Sequence, residues 1–265
     1  MRVALSEISF NRLAEAAARR VAAVPTAVSW MASREATDAR RYLAGFQGIH
    51  VGERCYVLAN GPSLNAVPVE VFRDATTFSM NRAYLMYDAW GFQPSYYVAI
   101  NDLVLEQFAP DIRRLPMPKF VTYRHRRLFD NVPNVGLVHT RMSLVDRFRG
   151  TPLNGLSTGG TVTYVALQLA YFMGFHEVVL LGLDHRFSAR GTPNKTETRI
   201  EDEDKDHMHP SYFPKGIKWQ LPDLTRSEVA YARARAAFEA DGRRIIDATI
   251  DGACTIFEKA SIDSL

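Results

Sequence analysis

From Gly52 onward, short β-rich runs alternate with stretches of helical periodicity, and this alternation restricts the fold more than any other feature of the chain. The predicted strands are Tyr56–Ala59, Thr76–Met80, Tyr96–Ile100, Phe120–Tyr123, Val135–His139, Val178–Leu183 and Arg244–Ile246. Strands that alternate with helices form a mostly parallel sheet with helices on both faces. The sequence therefore predicts an α/β, Rossmann-like fold that binds its ligand where the strands end.

A helical arm is predicted to precede this sheet over residues 1–50, and residues 51–265 are expected to form one nucleotide-binding or nucleotide-sugar-binding catalytic domain. In the arm, Phe10, Leu13, Ala17 and Val21 share one helix face. The arm carries seven arginines against four acidic residues. Two interpretations stay open: packing against the main domain or a second subunit, and peripheral contact with an anionic membrane surface.

Charge and cysteine content exclude several classes of protein. The net charge of +3 comes from scattered basic residues, which is not the footprint of a nucleic-acid binder. Cys55 and Cys254 lie far apart and lack metal-ligand spacing, so neither a zinc site nor a disulfide framework is expected. The apolar runs are too short to span a bilayer. We expect a cytoplasmic protein, with the inner membrane face as the place of any peripheral contact.

The first candidate site is the turn Asn60-Gly61-Pro62-Ser63-Leu64, which follows a predicted strand and precedes a helix start. Such a turn presents backbone N–H groups and a helix N-terminus to an anion. The turn lacks the second glycines of a dinucleotide-binding loop and the lysine of a P-loop. A tight turn in which Ser63 only caps a helix is the alternative.

Polar residues end further strands. Asn81 and Asn101-Asp102 follow the next two strands, and Asp184 follows the strand that ends in Leu181-Gly182-Leu183. Parallel strands bring their ends to one edge, where neutral amides can hold a ribose, a base or a sugar. Asp184 could orient a ligand hydroxyl, bind a metal or cap a turn, and each asparagine taken alone is a turn former.

Two helix starts are also predicted. Ser157-Thr158-Gly159-Gly160 precedes a buried helix over Val162–Phe172, with its N-terminus at the ligand edge. Its small residues either admit a ligand or only allow tight packing. Thr225 and Glu228 form a capping-box pattern before a helix that runs to about Asp241.

Residues 185–222 are polar and rich in proline and glycine, with no clear strand or helix, which predicts a mobile lid. His207 or His209 in this segment suits a general base, and Tyr212 could donate to a phosphate. Either histidine could equally be an exposed loop residue. The acidic run 201–204 reads as a solvated face, and no metal site is expected.

Taken in order, these motifs resemble the bacterial sialyltransferases of glycosyltransferase family 42, and more closely the domain-of-unknown-function 115 or MptE-like group. That group includes an archaeal hydroxymethylpterin pyrophosphokinase, flagellin glycosylation factors and proteins linked to bacterial surface polysaccharides. The resemblance covers roughly residues 53 to 260. It implies a transferase that needs no metal cofactor.

The resemblance also implies roles for residues. Asn60, Gly61, Ser63, Asn81, Asn101, Ser157, Thr158 and Gly159 would contact a CMP-linked sugar donor, and His209 or His207 would be the base. Those sialyltransferases place two tyrosines on the leaving phosphate where this chain has His185-Arg186-Phe187. Arg186 or Tyr212 would have to replace them.

The expected function is therefore metal-independent, inverting glycosyl transfer from a nucleotide-sugar to a glycan acceptor in surface polysaccharide or glycoconjugate synthesis. The alternative is transfer of diphosphate from ATP to hydroxymethylpterin, with Mg²⁺ near Asp102, Asp184 or residues 201–204. A third possibility is a nucleotide-binding scaffold without catalytic activity.

Overall fold

The computed structural model describes residues 10–141, 145–188 and 191–265, with side chains from residue 20 onward in those ranges. Its strands are β1 (Arg54–Leu58), β2 (Thr76–Met80), β3 (Tyr96–Ala99), β4 (Lys119–Thr122), β5 (Val135–Val138), β6 (Thr140–Arg141), β7 (Leu156–Ser157), β8 (Glu177–Leu181), β9 (Thr196–Thr198), β10 (Lys218–Gln220), β11 (Arg244–Asp247) and β12 (Glu258–Lys259). Its α-helices are α1 (Phe10–Ala32), α2 (Arg34–Ala44), α3 (Tyr87–Trp90), α4 (Asp102–Arg113), α5 (Val162–Met173) and α6 (Leu224–Ala240).

Over the described residues, eight strands form one parallel sheet in the order β12-β11-β8-β1-β2-β3-β4-β5. The predicted α/β fold with a mostly parallel sheet is confirmed. The chain adds strands outward from β1 to β5 and then returns to place β8 on the other side of β1. The order therefore reverses between β1 and β8, where open α/β sheets bind their ligands.

Alternate residues of β1 belong to two hydrophobic cores, one on each face of the sheet. Val57 packs with residues of α2, α5 and α6 on one face, and Leu58 packs with residues of α4 on the other. Since both faces are covered, the central strands are buried almost throughout, which explains their nearly continuous apolar character. The helices lie on both faces of the sheet, as the alternating pattern predicts.

Helix α6 begins earlier than the predicted capping box. The Asp223 side chain accepts a hydrogen bond from Arg226 N at 3.0 Å and caps the helix, which leaves Thr225 inside the first turn. Glu228 contacts His185 instead, with 3.1 Å between Oε1 and Nε2. The capping-box prediction is wrong because Asp223 supplies a cap two residues upstream.

The N-terminal arm packs on the main domain through one side. Trp30 is buried and stacks on His139, with ring centroids 5.6 Å apart, and Leu43 of α2 lies in the core. The opposite side of α1 exposes Val21, Val24, Val28 and Met31. The side chains of Phe10, Leu13 and Ala17 lie outside the described residues. Contact of this exposed side with a second subunit or a membrane surface stays a prediction. No helix in the described ranges is long and apolar enough to cross a membrane.

Candidate active site at the strand ends

A cleft of about 360 Å³ opens at the carboxyl ends of the strands, beside the point where the strand order reverses. This volume falls in the range of small-ligand sites, about 300–1,000 Å³. The ends of β1, β2, β3 and β8, the start of α5 and the long loop all contribute to its lining. Predicted site residues that line the cleft are Asn60, Gly61, Asn81, Asn101, Asp102, Thr158, Asp184, His207 and Tyr212. Pro62, Ser63, Ser157, Gly159 and His209 are not among the lining residues.

The turns after β1 and β8 are bonded to each other. Gly61 N donates to Gly182 O at 2.9 Å, and Ser63 Oγ donates to Asp184 Oδ2 at 2.6 Å. A β-carbon on Gly61 would lie only 1.9 Å from Asp184 Oδ2, so glycine is required at this position. Asp184 thus holds the two turns together through Ser63, and it also lines the cleft.

This contact corrects the expected role of the Asn60–Leu64 turn. The N–H groups of Gly61, Ser63 and Leu64 already bond to Gly182 O, Asp184 Oδ1 and Gly61 O. The segment that follows is a five-residue 3-10 helix over Pro62–Ala66 and not an α-helix. These N–H groups are therefore engaged within the protein and do not form an open anion cradle.

Two asparagine side chains in the cleft have oxygens without a hydrogen-bond partner among the described residues. The Oδ1 atoms of Asn60 and Asn81 are buried and have no hydrogen-bond partner among the described residues, and both residues line the cleft. A buried acceptor without a donor costs about 1–3 kcal/mol. Asn101 differs, because its Oδ1 accepts from Val104 N and caps α4. The structure brings the three asparagines to one cleft but leaves only the first two with unsatisfied oxygens.

Asp102 pairs with Arg124 and His125 at the first turn of α4. Its Oδ1 lies 2.9 Å from His125 Nε2, and its Oδ2 accepts from Arg124 Nη1 at 2.9 Å. Burial alone would raise the pKa of Asp102, but the hydrogen bond from His125 and the charge of Arg124 lower it below its usual value. The carboxylate is thereby ionised and paired, which leaves it a poor candidate for a nucleotide or magnesium contact.

The start of α5 differs in detail from the prediction. Thr161 is the N-cap, while Ser157 ends β7 four residues earlier. Gly159 has a positive φ of 58°, and a β-carbon there would lie within 2.6 Å of both Tyr164 and Ala230. Gly159 therefore serves tight packing, and Thr158 with Gly160 and Thr161 form the cleft surface.

The long loop is anchored on the sheet edge and contains a short antiparallel pair, β9 with β10. Met208 N donates to Asn60 O at 2.8 Å, and Asn65 Nδ2 donates to Met208 O at 2.8 Å. Arg82 Nη1 donates to the carbonyls of Ser211, at 2.7 Å, and Tyr212. The expectation of no strand in this segment is wrong, because side-chain contacts with the sheet edge give it an ordered shape. Its motion as a lid stays a prediction.

The loop brings His207, and not His209, to the cleft. His207 Nδ1 lies 2.9 Å from Asp204 Oδ2, and its ring stacks on Tyr212 with centroids 4.1 Å apart. His209 Nδ1 instead accepts from Ser211 N at 3.0 Å, away from the cleft lining. Burial raises the pKa of Tyr212, so its phenol stays protonated and able to donate. Loop packing therefore brings His207 and not His209 to the cleft, and its role as a base stays a prediction.

The chain is similar to one known protein family and to a solved structure. The family model described as 6-hydroxymethylpterin diphosphokinase MptE-like matches residues 32–190, more than half of the chain. The chain belongs to this family. Among solved structures, it resembles a MAf glycosyltransferase from Magnetospirillum magneticum AMB-1, with a TM-score of 0.52, 17% sequence identity and 86% of this chain covered. The chain spans 39% of that protein, and no curated protein matches it.

The MptE-like match ends at residue 190, so it contains the strand-end motifs but not Asp204 or His207. At this identity the structural likeness shows the fold alone. Asp204 was missed in the sequence because its acidic run reads as solvated. Its side chain is fully buried, while its three predecessors are exposed. The three-residue spacing from Asp204 to His207 was the available signal.

Cations line the cleft on the loop side. Arg186, which the resemblance suggested, and Lys218, which it did not, have no carboxylate partner among the residues with described side chains. Arg226 is already held by Asp146, with Nε donating to Oδ2 at 2.7 Å and Nη2 to Oδ1 at 3.1 Å. Arg186 and Lys218 are thus the cations able to meet a phosphate.

The carboxylates near the cleft each have partners within the protein. Asp102 is paired with Arg124 and His125, Asp184 accepts from Ser63, and Asp204 accepts from His207. The described residues contain no group of three His, Cys, Asp or Glu that could hold a metal ion. Each acidic residue that the diphosphokinase alternative would use as a ligand is instead part of the protein's own hydrogen-bond network or exposed.

Proposed function

We propose that this chain is a glycosyltransferase that takes a nucleotide-activated sugar into the strand-end cleft. The observation that carries the proposal is the pair of unpartnered buried oxygens, Asn60 Oδ1 and Asn81 Oδ1. Buried acceptors are normally hydrogen-bonded, so a ligand with donor groups completes them. The hydroxyls of a ribose and the amino group of a base are such donors.

The proposed chemistry uses His207 as the general base. The acceptor hydroxyl oxygen attacks the anomeric carbon of the donor sugar while the bond from that carbon to the phosphate oxygen breaks. His207 Nε2 takes the proton of the hydroxyl, and the nucleotide phosphate leaves with the bonding electrons. Arg186, Lys218 and the Tyr212 hydroxyl stabilise the charge on the departing phosphate. Attack opposite the leaving group inverts the anomeric centre.

Our preferred donor is a CMP-linked acidic sugar used in bacterial surface polysaccharide or glycoconjugate synthesis. Its support is the resemblance of the ordered motifs to the bacterial sialyltransferases. The likeness to a glycosyltransferase structure is compatible with this reaction. The preference for a metal-independent reaction follows from the engagement of Asp102, Asp184 and Asp204.

Transfer of diphosphate from ATP is the second candidate, because the family model carries that activity in its description. The two candidates differ in what stabilises the phosphates. Diphosphate transfer relies on bound Mg²⁺, whereas glycosyl transfer in this cleft relies on side-chain cations.

A thermal-shift panel of CMP, CMP-sugars, UDP, GDP and ATP, each with and without Mg²⁺, tests the proposal. A ligand at 100 times its Kd adds about 2.7 kcal/mol of stability. In a chain of this size, that corresponds to a rise in Tm of about 5–10 °C. We expect CMP and a CMP-sugar to raise Tm equally with and without Mg²⁺. A rise with ATP that requires Mg²⁺, and none with CMP, would replace glycosyl transfer by diphosphate transfer.

The Asn60→Ala variant tests the carrying observation. Removing an unpaired buried acceptor does not destabilise the free protein, so we expect an unchanged or higher Tm without ligand. The shift caused by CMP should disappear. Asn154→Ala, at an exposed position outside the cleft, is the control and should keep the full shift. A wild-type CMP shift in Asn60→Ala would contradict the assignment.

A further inference from the structure

Asp204 lies beneath His207 with both carboxylate oxygens bonded. Oδ2 accepts from Phe213 N at 3.2 Å and lies 2.9 Å from His207 Nδ1, and Oδ1 accepts from Asp206 N at 3.0 Å. The side chain has no solvent exposure. A buried carboxylate with this set of partners holds one defined position.

The charge state of Asp204 determines what it can do to the ring. Burial alone would raise the pKa of Asp204, but the hydrogen bond with His207, the Asp206 N–H and nearby Arg199 lower it below its usual value. Asp204 is therefore ionised at neutral pH and can only accept hydrogen bonds. The ring nitrogen that faces it must carry a proton.

We propose that Asp204 is a positioning residue that holds His207 as the Nδ1–H tautomer, with Nε2 left bare for the cleft. A neutral imidazole has one donor nitrogen and one acceptor nitrogen, so a proton on Nδ1 leaves Nε2 as the basic atom. This inference rests on the proposed function, in which His207 is the base.

Two further contacts restrain the ring. His207 stacks on Tyr212 with planes only 4° apart, and the Phe213 ring meets it edge-on at 5.2 Å. The next residue, Met208, hydrogen-bonds through its backbone to Asn60 and Asn65. The position of the base is thereby coupled to the turn that carries one of the unpartnered asparagine oxygens.

Asp204→Asn separates positioning from a purely structural role. The asparagine oxygen still accepts from a backbone N–H, so the loop keeps part of its support. Its amide group can donate to His207 Nδ1, which favours the opposite tautomer with the proton on Nε2. Asp202→Asn is the matched control, because Asp202 is exposed and its one ion pair among the described residues is with Lys215, at 3.2 Å.

Nitrogen-15 NMR of the histidine rings, at pH 8 where an imidazole is ordinarily neutral, reads the tautomer directly. His207→Gln identifies the His207 signals by their loss. We expect the Nδ1–H tautomer in the wild type and in Asp202→Asn, and a shift toward Nε2–H in Asp204→Asn. A wild-type His207 with its proton on Nε2, or a tautomer unchanged in Asp204→Asn, overturns the proposal. The wild-type spectrum decides the first point even if Asp204→Asn folds poorly.

Turnover of the donor selected by the nucleotide panel gives the second readout. We expect Asp204→Asn to lower kcat by about 10²–10⁴-fold with little change in the KM of the donor, since general-base catalysis contributes in that range. Asp202→Asn should keep wild-type kcat. The tautomer measurement needs no substrate. If no nucleotide binds, the proposed function is refuted, while the tautomer of His207 can still be measured. An Nε2–H wild-type ring in an active transferase would refute the positioning role alone.

Discussion

The two walls of the cleft are held by different kinds of interaction. The strand-end wall, residues 59–61, 81, 101 and 182–184, rests on the parallel sheet and on contacts between the turns after β1 and β8. The loop wall, residues 204–213 and 218–221, rests mainly on side chains that reach across to the sheet edge, with Arg82 foremost. Both walls line the cleft, yet only the first is built into the main sheet.

This difference assigns the walls different tasks. Hydrogen bonds within a sheet break only when the fold opens, so the strand-end wall presents Asn60 and Asn81 in place before a ligand arrives. The loop wall depends on a small number of polar side chains, and local openings draw on such regions. The predicted lid motion would therefore belong to the loop wall, with His207 carried by the part that moves.

The largest effect is expected from Gly61→Ala in the strand-end wall. The new β-carbon would lie 1.9 Å from Asp184 Oδ2 and 2.6 Å from Gly182 O, so the two turns must separate. We expect a loss of about 3 kcal/mol in the free energy of unfolding, measured by urea denaturation. Gly216 in the loop has a positive φ of 88°, unlike Gly61, and open space around its β-carbon, so Gly216→Ala should cost only about 1 kcal/mol. Equal losses would contradict a tightly packed strand-end wall.

A smaller effect is expected from Arg82→Gln, which removes the main side-chain anchor of the loop wall. Hydrogen bonds from a charged donor contribute about 1.5–3 kcal/mol, and we expect a loss of about 2 kcal/mol. Hydrogen exchange should accelerate in residues 199–213 while the strand ends keep wild-type protection. Arg73→Gln is the control and should change neither quantity, because the Arg73 guanidinium is exposed and, within the described part of the chain, bonds to Glu70 alone, at 3.4 Å. Faster exchange at both walls would contradict the inference that the two walls are held by different interactions.

The smallest effect is expected from lowering the pH. The folded-state pKa of Asp204 lies below its ordinary value of about 3.8. Its ionised form therefore contributes stability that is present above about pH 3.8. This stability is lost as the pH falls below 3.8 and through the folded-state pKa. Hydrogen exchange measured at pH 5 and then at successively lower pH values below 3.8 should show the loop wall loosening in the wild type. Asp204→Asn should lack this step. A wild-type loop that opens at the same pH as in Asp204→Asn would mean that Asp204 does not anchor it.

Comparison of the elements shows where prediction from the sequence succeeds. Each of the seven predicted strands overlaps an observed strand of the main sheet, and the buried helix predicted over Val162–Phe172 runs over Val162–Met173. These elements have strong local signals, since β-rich runs and helical periodicity arise from neighbouring residues. The helix start at Asp223 was misplaced because two acceptable caps lie close together.

The candidate site was predicted unevenly for a related reason. Asn60, Asn81 and Asn101 lie at the cleft because parallel strands bring their ends together. Ser63 and Gly159 carry the same kind of signal in the sequence, yet Ser63 bonds to Asp184 and Gly159 packs on Tyr164. Spacing identifies where a turn occurs but does not show which of its atoms are already bonded to another turn.

What the sequence by itself determined is the order and type of the elements, and with them the edge of the sheet where the cleft opens. Only the tertiary structure decided that His207 and not His209 faces the cleft, that Asp204 lies buried beside it, and that Asp102 is paired with Arg124 and His125. The physical reason is the range of the interactions. Strand and helix patterns depend on residues within a few positions, whereas the loop takes its shape from Arg82 and Asn65, more than a hundred residues away.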